Sequence, residues 1–426
     1  MSEKTILVWF RNDLRIHDNE ILSEAVRRAD KVLPVYVFDP FYFKANSAGA
    51  TKTGSFRTRF LIESVADLRA SLRQMGADLL IRTGDPAEVL VQLAEEYQVS
   101  EVYHHREVAP DETTISEKVE EALWKKQLNL KHFIGHTMYH KEDLPFPIKD
   151  IPDSFITFKK KVERDSTVRP VVTTPEQVII PEINDAGELP TLHDLGVPEP
   201  VYDPRAGEKI NGGETEALKR MQQYLSNADV RNQPNSSGLG PWLAVGCISP
   251  RQVYWEVLNY QKEHHLQNAD PLMLELLWRD YFRFMFKKHG QKFFRSEGFG
   301  SAPDIADNQD ELFERWKSGQ TGEPYIDAAM HQLNATGYIS NYARQAVAAY
   351  LIKDLQVDWT KGALYFEEKL IDYSPASNWG NWAFLAGVGN DTKSNRFFNA
   401  AKPSQSDNAY INTWLPSIGD TLPIAR

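Results

Sequence analysis

The chain has 426 residues, of which 42% are hydrophobic and 25% charged, a globular composition that is long enough for two or three domains. Its single cysteine, Cys247, excludes intrachain disulfides and any iron–sulfur or zinc site that needs four cysteines from one chain. The net charge of −11 does not favour a general nucleic-acid-coating protein, although an acidic chain can still bind DNA through a local basic surface.

Strand and helix signals alternate through the first third of the sequence. Apolar runs predict buried strands at residues 5–10, 31–38, 78–82, 101–104 and 129–134. Amphipathic stretches at 57–75 and 86–97 predict helices, the second with Pro86 in its first turn. This alternation predicts a doubly wound parallel sheet, an α/β domain that we place at residues 1–140. No GxGxxG follows the first strand, so the dinucleotide fingerprint is absent there.

The remainder of the sequence divides into a connector and a helical region. Residues 145–204 are rich in Pro, Asp and Thr, which predicts a long connector, placed at 141–205. From about Glu214 the pattern is helical almost throughout, and we place an all-α domain at 206–426. No apolar run reaches the length of a membrane helix and no signal or transit peptide is recognisable, so we expect a cytoplasmic protein.

Two segments combine residues that suit a ligand pocket. Ser236-Ser-Gly-Leu-Gly-Pro241 precedes an apolar stretch; free amides at a helix start can bind an anion, and the alternative is a capped helix with a flexible lead-in. Glu275, Trp278, Arg279 and Phe282 share one face of a predicted helix. An acid, an indole and a guanidinium fit a polar-aromatic pocket wall, and the alternative is an internal Glu275–Arg279 pair on a solvated helix.

Further along, polar side chains cluster around a predicted helix and turn. The helix that follows Gly337, a predicted left-handed cap, places on one face Tyr338, Asn341, Arg344 and Gln345. Residues 372–378 predict a short polar turn, in which Asp372 could pair with Arg344. Asn378 can both donate and accept a hydrogen bond, although its pattern alone is that of a turn residue.

These motifs, taken in order, resemble the photolyase/cryptochrome family, most closely its DASH type. The resemblance covers essentially the whole chain and rests on Trp9–Asn19, Ser236–Leu239, Glu275–Asp280, Gly322–Met330, Asn341–Arg344 and Asp372–Trp382. It implies an N-terminal α/β domain and an all-helical FAD-binding domain. Ser236, Ser237 and Leu239 would hold the FAD phosphates. The remaining implied FAD contacts are Arg279, Asn341, Arg344, Asp372 and Asn378.

The resemblance also implies a reaction. Light-excited reduced flavin would donate an electron to a cyclobutane pyrimidine dimer and recover it once the ring has opened, so no metal is needed. Trp278 and Tyr338 would flank the flipped-out dimer, with Glu275 and Gln345 at its polar edges. We expect protonated Glu275 to donate a hydrogen bond to a dimer carbonyl. Gly238 and Gly240 stand where relatives often have a basic residue and Ser, so some phosphate contacts would be made by the backbone alone.

Two tryptophans match the family's route for photoreducing the flavin. These are Trp382 and Trp359, but the third position falls at Ala306, which puts the usual three-tryptophan route in doubt. Trp316 or a nearby Tyr is a possible substitute, and core packing is the alternative for Trp359 taken alone. Glu107 matches a segment that contacts a methenyltetrahydrofolate antenna in relatives, so such an antenna is a further expectation.

The expected partner is DNA that contains pyrimidine dimers, preferentially single-stranded, bound by a monomer with Lys393 and Arg396 on its phosphates. The competing hypothesis is a blue-light photoreceptor that signals with weak or no repair, because both functions need the same FAD pocket. A third, an electron-transfer flavoprotein without a DNA substrate, gives no reason for Trp278, Tyr338 and Glu275 to line one cavity.

Overall fold

The computed structural model describes residues 3–44, 51–207, 209–227, 237–266, 271–391 and 405–415. The chain forms two compact units, one of Met1–Pro198 with Ile210–Gly290 and another of Glu199–Lys209 with Gln291–Arg426. The predicted domain boundaries near residues 140 and 205 remain predictions. No helix of the described residues is long and apolar enough to cross a membrane.

The first unit is built on a five-stranded parallel sheet, which confirms the predicted α/β fold. Its strands are β1 (Thr5–Phe10), β2 (Lys31–Phe38), β3 (Leu80–Thr83), β4 (Val99–His105) and β5 (Asn129–Phe133), in the order β3-β2-β1-β4-β5. Every residue of β1 is buried, as expected of a central strand that is covered on both faces. The strand order reverses direction at β1, which is the doubly wound arrangement predicted from the sequence.

Helices connect these strands, and the second and third of them lie close to the bounds predicted at 57–75 and 86–97. The helices are Glu20–Arg28, Ser55–Gln74, Pro86–Glu96 and Pro110–Trp124. Leu7 and Trp9 pack on one face with Leu90 and Leu93 of the Pro86–Glu96 helix. Strand β3 begins two residues later than predicted: the Asp78 carboxylate instead accepts hydrogen bonds from two arginines of the Ser55–Gln74 helix and from the next amide.

The predicted connector contains a helix that the sequence analysis did not predict, Phe155–Asp165. Its buried side chains Phe155, Phe158 and Val162 lie one turn or two apart, so they line one face. The chain beyond it hydrogen-bonds along the α/β part, with Val178 donating to Met75 and Ile81 donating to Ala186. The segment is therefore fixed to the first unit by main-chain hydrogen bonds.

The rest of the described chain is helical, as predicted. In the first unit the helices are Glu214–Ser226, Gly240–Ala244, Pro250–Glu263 and Pro271–His289. In the second they are Gln309–Lys317, Pro324–Thr336, Asn341–Lys353, Trp359–Lys369, Pro375–Leu385 and Gln405–Trp414. Gly337, with φ 70° and ψ 10°, ends one helix in the left-handed conformation, which confirms the predicted cap.

The N-terminal motif ties the sheet to the helical residues of its own unit. Asp18 accepts two hydrogen bonds from the Arg251 guanidinium, at 3.0 and 2.8 Å, and a further one from Ser249. Arg15 donates to the carbonyl oxygen of Gly246 at 2.9 Å. All four side chains involved are buried. These buried polar contacts explain why the motif contains so many charged residues directly after an apolar strand.

Candidate functional site

The predicted phosphate segment begins the site in the first unit. Ser236 lies outside the described residues, whereas Ser237 and Leu239 are buried. The Ser237 hydroxyl accepts from the Leu239 amide at 3.4 Å and donates to the Glu275 carboxylate at 3.3 Å. The predicted phosphate segment and the predicted substrate wall are therefore joined by a side-chain hydrogen bond.

Arg220 supports this segment, a role that the sequence analysis missed. Its Nε donates to the Ser237 carbonyl at 2.8 Å. Gly238 has φ +64°, and a Cβ there would lie 2.7 Å from an Arg220 guanidinium nitrogen. The left-handed backbone conformation therefore favours glycine at this position, and a side chain there would require the Arg220 guanidinium to move. Together Arg220 and Gly238 put a cation next to a backbone turn, an arrangement that suits an anionic group.

The side chains of Arg279 and Asp280 form hydrogen bonds with backbone groups of neighbouring segments. Arg279 donates to the carbonyls of Leu243, at 2.8 Å, and of His136. Asp280 accepts from the amides of Met138 and Tyr139 at 3.0 and 2.8 Å. Burial raises the pKa of Asp280 to about 7, an effect that these two amides only partly offset. Since Arg279 secures the short helix after the phosphate segment, its role as a direct FAD contact remains a prediction.

Trp278 and Glu275 lie on one face of the Pro271–His289 helix, and both are half-buried. The Trp278 indole stacks on the Phe155 ring with centroids 3.5 Å apart and planes 10° apart. Tyr281 meets the indole edge-on at 5.7 Å, and Phe282 lies at 5.5 Å. Three aromatic neighbours therefore fix the plane of the indole.

The second unit contains the predicted pair of Arg344 and Asp372. Arg344 donates to Asp372 Oδ2 at 2.8 Å and to the Ile339 carbonyl at 2.9 Å. Its guanidinium also lies 5.2 Å from the centre of the Tyr338 ring. Asp372 Oδ1 is buried and has no hydrogen-bond partner among the described residues. A buried carboxylate oxygen in this state suits an N–H donor of a ligand.

Two expectations about local structure in this unit were wrong. Tyr338 precedes the helix instead of lying on it, because Ser340 caps a helix that starts at Asn341. Asn378 lies within the Pro375–Leu385 helix instead of in a turn, because Ser374 and Pro375 begin that helix. The Asn378 amide donates to the Ala363 carbonyl at 3.0 Å. Asn341, Arg344 and Gln345 do share a helix face, as predicted, and all three are half-buried.

The two predicted redox tryptophans are buried in the second unit. The Trp359 indole donates to the Ser296 carbonyl at 2.9 Å, and its ring lies 5.8 Å from Trp379. The Trp382 ring lies 6.3 Å from Trp316. Trp316 in turn lies 5.7 Å from the half-buried Tyr365. Aromatic rings thus continue from Trp382 toward the surface through Trp316.

Glu107 is enclosed by the protein. Its carboxylate accepts from Asn12 at 2.9 Å and from Arg283 at 2.6 Å, and the side chain is 2% exposed. Burial would raise the pKa of Glu107, but the neighbouring His136 and Arg283 together outweigh it and hold the pKa well below its usual value. Burial and the charge of Glu107 raise the pKa of Glu112 to about 8. Both Glu107 oxygens accept hydrogen bonds from protein groups, and the contact of Glu107 with an antenna stays a prediction.

The two predicted DNA-phosphate contacts, Lys393 and Arg396, lie outside the described residues.

The described residues suit a flavin dinucleotide in two respects. In one unit the Arg220 guanidinium lies beside the predicted phosphate segment, which contains a glycine in the left-handed conformation. In the other a buried carboxylate keeps one oxygen for a donor. Both features have the polarity that a part of FAD requires.

Comparison with known proteins identifies the family. Residues 6–178 match the family described as DNA photolyase, and residues 272–423 match the FAD-binding domain of DNA photolyase. The chain is 44% identical to the cryptochrome DASH of Gloeobacter violaceus, in a match that covers 100% of this chain and 88% of the relative. It is 40% identical to that of Danio rerio, with 98% and 84% covered.

Solved structures of photolyases and cryptochromes are also similar to this chain. A crystal structure of a Synechocystis cryptochrome superposes with a TM-score of 0.91 at 40% identity, over 98% of this chain and 90% of that one. An archaeal photolyase from Sulfolobus tokodaii, solved with two FAD molecules, gives 0.80 at 28% identity, over 98% and 91%. The chain therefore belongs to the photolyase/cryptochrome family, is similar to its DASH cryptochromes, and carries that family's FAD-binding domain.

Proposed function

We propose that this protein is a blue-light-dependent deoxyribodipyrimidine photolyase, a carbon–carbon lyase that splits cyclobutane pyrimidine dimers, preferentially in single-stranded DNA. The observation that carries the proposal is the half-buried Trp278 ring, fixed in plane by aromatic neighbours and placed one helical turn from Glu275. A planar indole beside a carboxyl group suits a base with carbonyl oxygens.

Bound FAD, once reduced and excited by blue light, would supply the electron that opens the dimer and would recover it afterwards. Trp278 would stack on the extruded base, and Tyr338 would be a second aromatic contact. Protonated Glu275 would donate a hydrogen bond to a dimer carbonyl, and Gln345 would contact a polar edge. Ser237 fixes the Glu275 carboxyl group through their 3.3 Å hydrogen bond. The proposed FAD contacts are Ser236, Ser237, Leu239, Asn341, Arg344, Asp372, Asn378 and, through the main chain it holds, Arg279.

The strand preference follows from the energy of base extrusion. Removing bases from a duplex costs a few kcal/mol, and the cost is smallest where the strand is already single. Stacking on an aromatic ring returns roughly 1–3 kcal/mol per base. Stacking on Trp278 alone can thus offset the free-energy cost of extruding a base from a single strand more readily than the cost of extruding it from a duplex. Lys393 and Arg396 remain our proposed phosphate contacts.

The residues that would photoreduce the flavin start at Trp382. From there, aromatic contacts lead to Trp316 and Tyr365, while Trp359 contacts Trp379. Ala306 has no ring with which to complete the expected three-tryptophan series. The contacts from Trp382 to Trp316 and Tyr365 are therefore a candidate replacement for that route. A methenyltetrahydrofolate antenna, a monomeric state and a cytoplasmic location belong to the same proposal.

The decisive experiment uses chemically reduced holoenzyme and oligonucleotides that contain one thymine dimer, in single-stranded and duplex form. Blue light should restore the thymines in the single strand, with little repair of the duplex. Absence of repair in both, with flavin bound and reducible, would contradict the proposal and favour a photoreceptor. Equal repair of both forms would contradict only the strand preference.

A further inference from the structure

Residues 151–158 form a segment that is fastened to the Pro271–His289 helix at two points. At the polar point, Asp153 accepts from Lys288 at 2.9 Å and contacts His289 at 2.7 Å. Lys288 also donates to the Ile151 carbonyl at 2.7 Å, and the Tyr281 hydroxyl donates to the Asp153 carbonyl. The start of the Phe155–Asp165 helix is therefore held in place by charged and neutral hydrogen bonds.

At the aromatic point, two phenylalanines of the segment contact the same helix, and they share Tyr281 as a neighbour. Phe155, which is 8% exposed, stacks on Trp278 at 3.5 Å and meets the edge of Tyr281 at 5.4 Å. Phe158, which is fully buried, lies 5.3 Å from Tyr281 and 6.2 Å from Phe284. Only Phe155 of this pair covers a face of the Trp278 ring.

We propose that Phe155 is a positioning residue for substrate binding: it stacks on one face of Trp278 and holds the indole in the orientation against which a base packs. This inference rests on the proposed function. Phe155 touches Trp278 rather than the substrate, so its effect passes through the indole. A ring that is already held in its bound orientation loses less conformational freedom when the base arrives.

A matched pair of variants separates positioning from general stability. Phe155→Leu removes the flat ring behind Trp278, and Phe155→Tyr restores one. Phe158→Leu is the control, because it makes the same change on the same helix, at a buried phenylalanine that contacts Tyr281 and Phe284. Thermal unfolding and flavin content are measured for each, so that loss of folding is detected directly.

The assay measures dark binding of FAD holoenzyme to a single-stranded oligonucleotide with one thymine dimer, and to the undamaged oligothymidine, by fluorescence anisotropy. Because stacked aromatic pairs contribute up to about 1.5 kcal/mol, Phe155→Leu should weaken dimer binding by roughly tenfold. Repair at saturating substrate should stay within about twofold of wild type, a loss in KM rather than in kcat. Phe155→Tyr should recover the affinity, and Phe158→Leu should keep it.

The outcomes distinguish this inference from the proposed function. Wild-type repair with unchanged affinity in Phe155→Leu would overturn the positioning role while the function stands. An equal loss in Phe158→Leu, or no recovery in Phe155→Tyr, would also overturn it. If the wild type repairs nothing but Phe155→Leu still weakens oligothymidine binding, the function fails and positioning stands. Failure of the wild type to bind either oligonucleotide would overturn both.

Discussion

Two buried groups of charges, one in each unit, differ in how completely the protein satisfies them. Glu107 uses both carboxylate oxygens on Asn12 and Arg283. Asp372 uses one oxygen on Arg344, and its second has no hydrogen-bond partner among the described residues. A carboxylate whose hydrogen bonds are complete stabilises the fold, whereas a partly satisfied one is destabilising unless a ligand completes it. We expect from this difference that Glu107 contributes mainly to stability and Asp372 mainly to ligand binding.

The largest expected effect is on folding. Glu107→Gln leaves the buried Arg283 without its counter-charge, and we expect a loss on the order of 3 kcal/mol in the free energy of unfolding. The FAD affinity of the folded variant should remain that of wild type. Urea unfolding and flavin titration measure the two quantities. Glu112→Gln is the matched control and should cost little at pH 7, because a Glu112 with a pKa of about 8 is already protonated there.

The next effect is on the cofactor. Asp372→Asn removes the charge that pairs with Arg344, so we expect FAD affinity to fall by roughly tenfold, the effect of about 1.4 kcal/mol. Unfolding of the apoprotein should change little. Flavin fluorescence during reconstitution gives the dissociation constant. The comparison between the two charged groups is broken if Asp372→Asn unfolds the protein while keeping its FAD, or if Glu107→Gln loses FAD while staying stable.

Glu275 sharpens the comparison because it lies between these extremes, half-buried and hydrogen-bonded to Ser237. If it donates a hydrogen bond to the dimer, Glu275→Gln should keep most repair, since an amide also donates. Glu275→Ala should lose much of it, several-fold in repair per photon absorbed. Repair of the single-stranded oligonucleotide is compared in the three proteins. Equal repair in all of them would exclude the hydrogen bond as a contribution to the reaction.

A further prediction concerns the pH dependence of stability. The folded-state pKa of Asp280, about 7, lies above its unfolded value, so the folded state keeps a proton that the unfolded state releases. This group therefore lowers stability as the pH rises from about 4 to above 7. Asp280→Asn should flatten the profile of thermal unfolding across that range. An unchanged slope would mean that Asp280 is ionised throughout in the folded protein.

The sequence predicted the sheet chiefly because β1 and β2 are continuous buried runs, which is typical of central parallel strands. It did not predict the Phe155–Asp165 helix, since only three buried positions mark its face and a run of lysines interrupts them. Ser374-Pro375 is a helix-start signal that could have placed Asn378 in a helix. No sequence pattern marks Arg220, because its role depends on how closely its guanidinium approaches the backbone at Gly238 in the folded chain.

The N-terminal motif also bears on how the protein is made. Arg251, the counter-charge of Asp18, lies 233 residues further along the chain. A ribosome that adds about 5–20 residues per second needs on the order of 10 to 50 s to synthesise that interval. Until then the sheet would have to bury Asp18 without its guanidinium. We therefore expect the nascent α/β part to complete its folding only after the helical residues near 250 emerge, and a fragment that ends at residue 178 to be unstable.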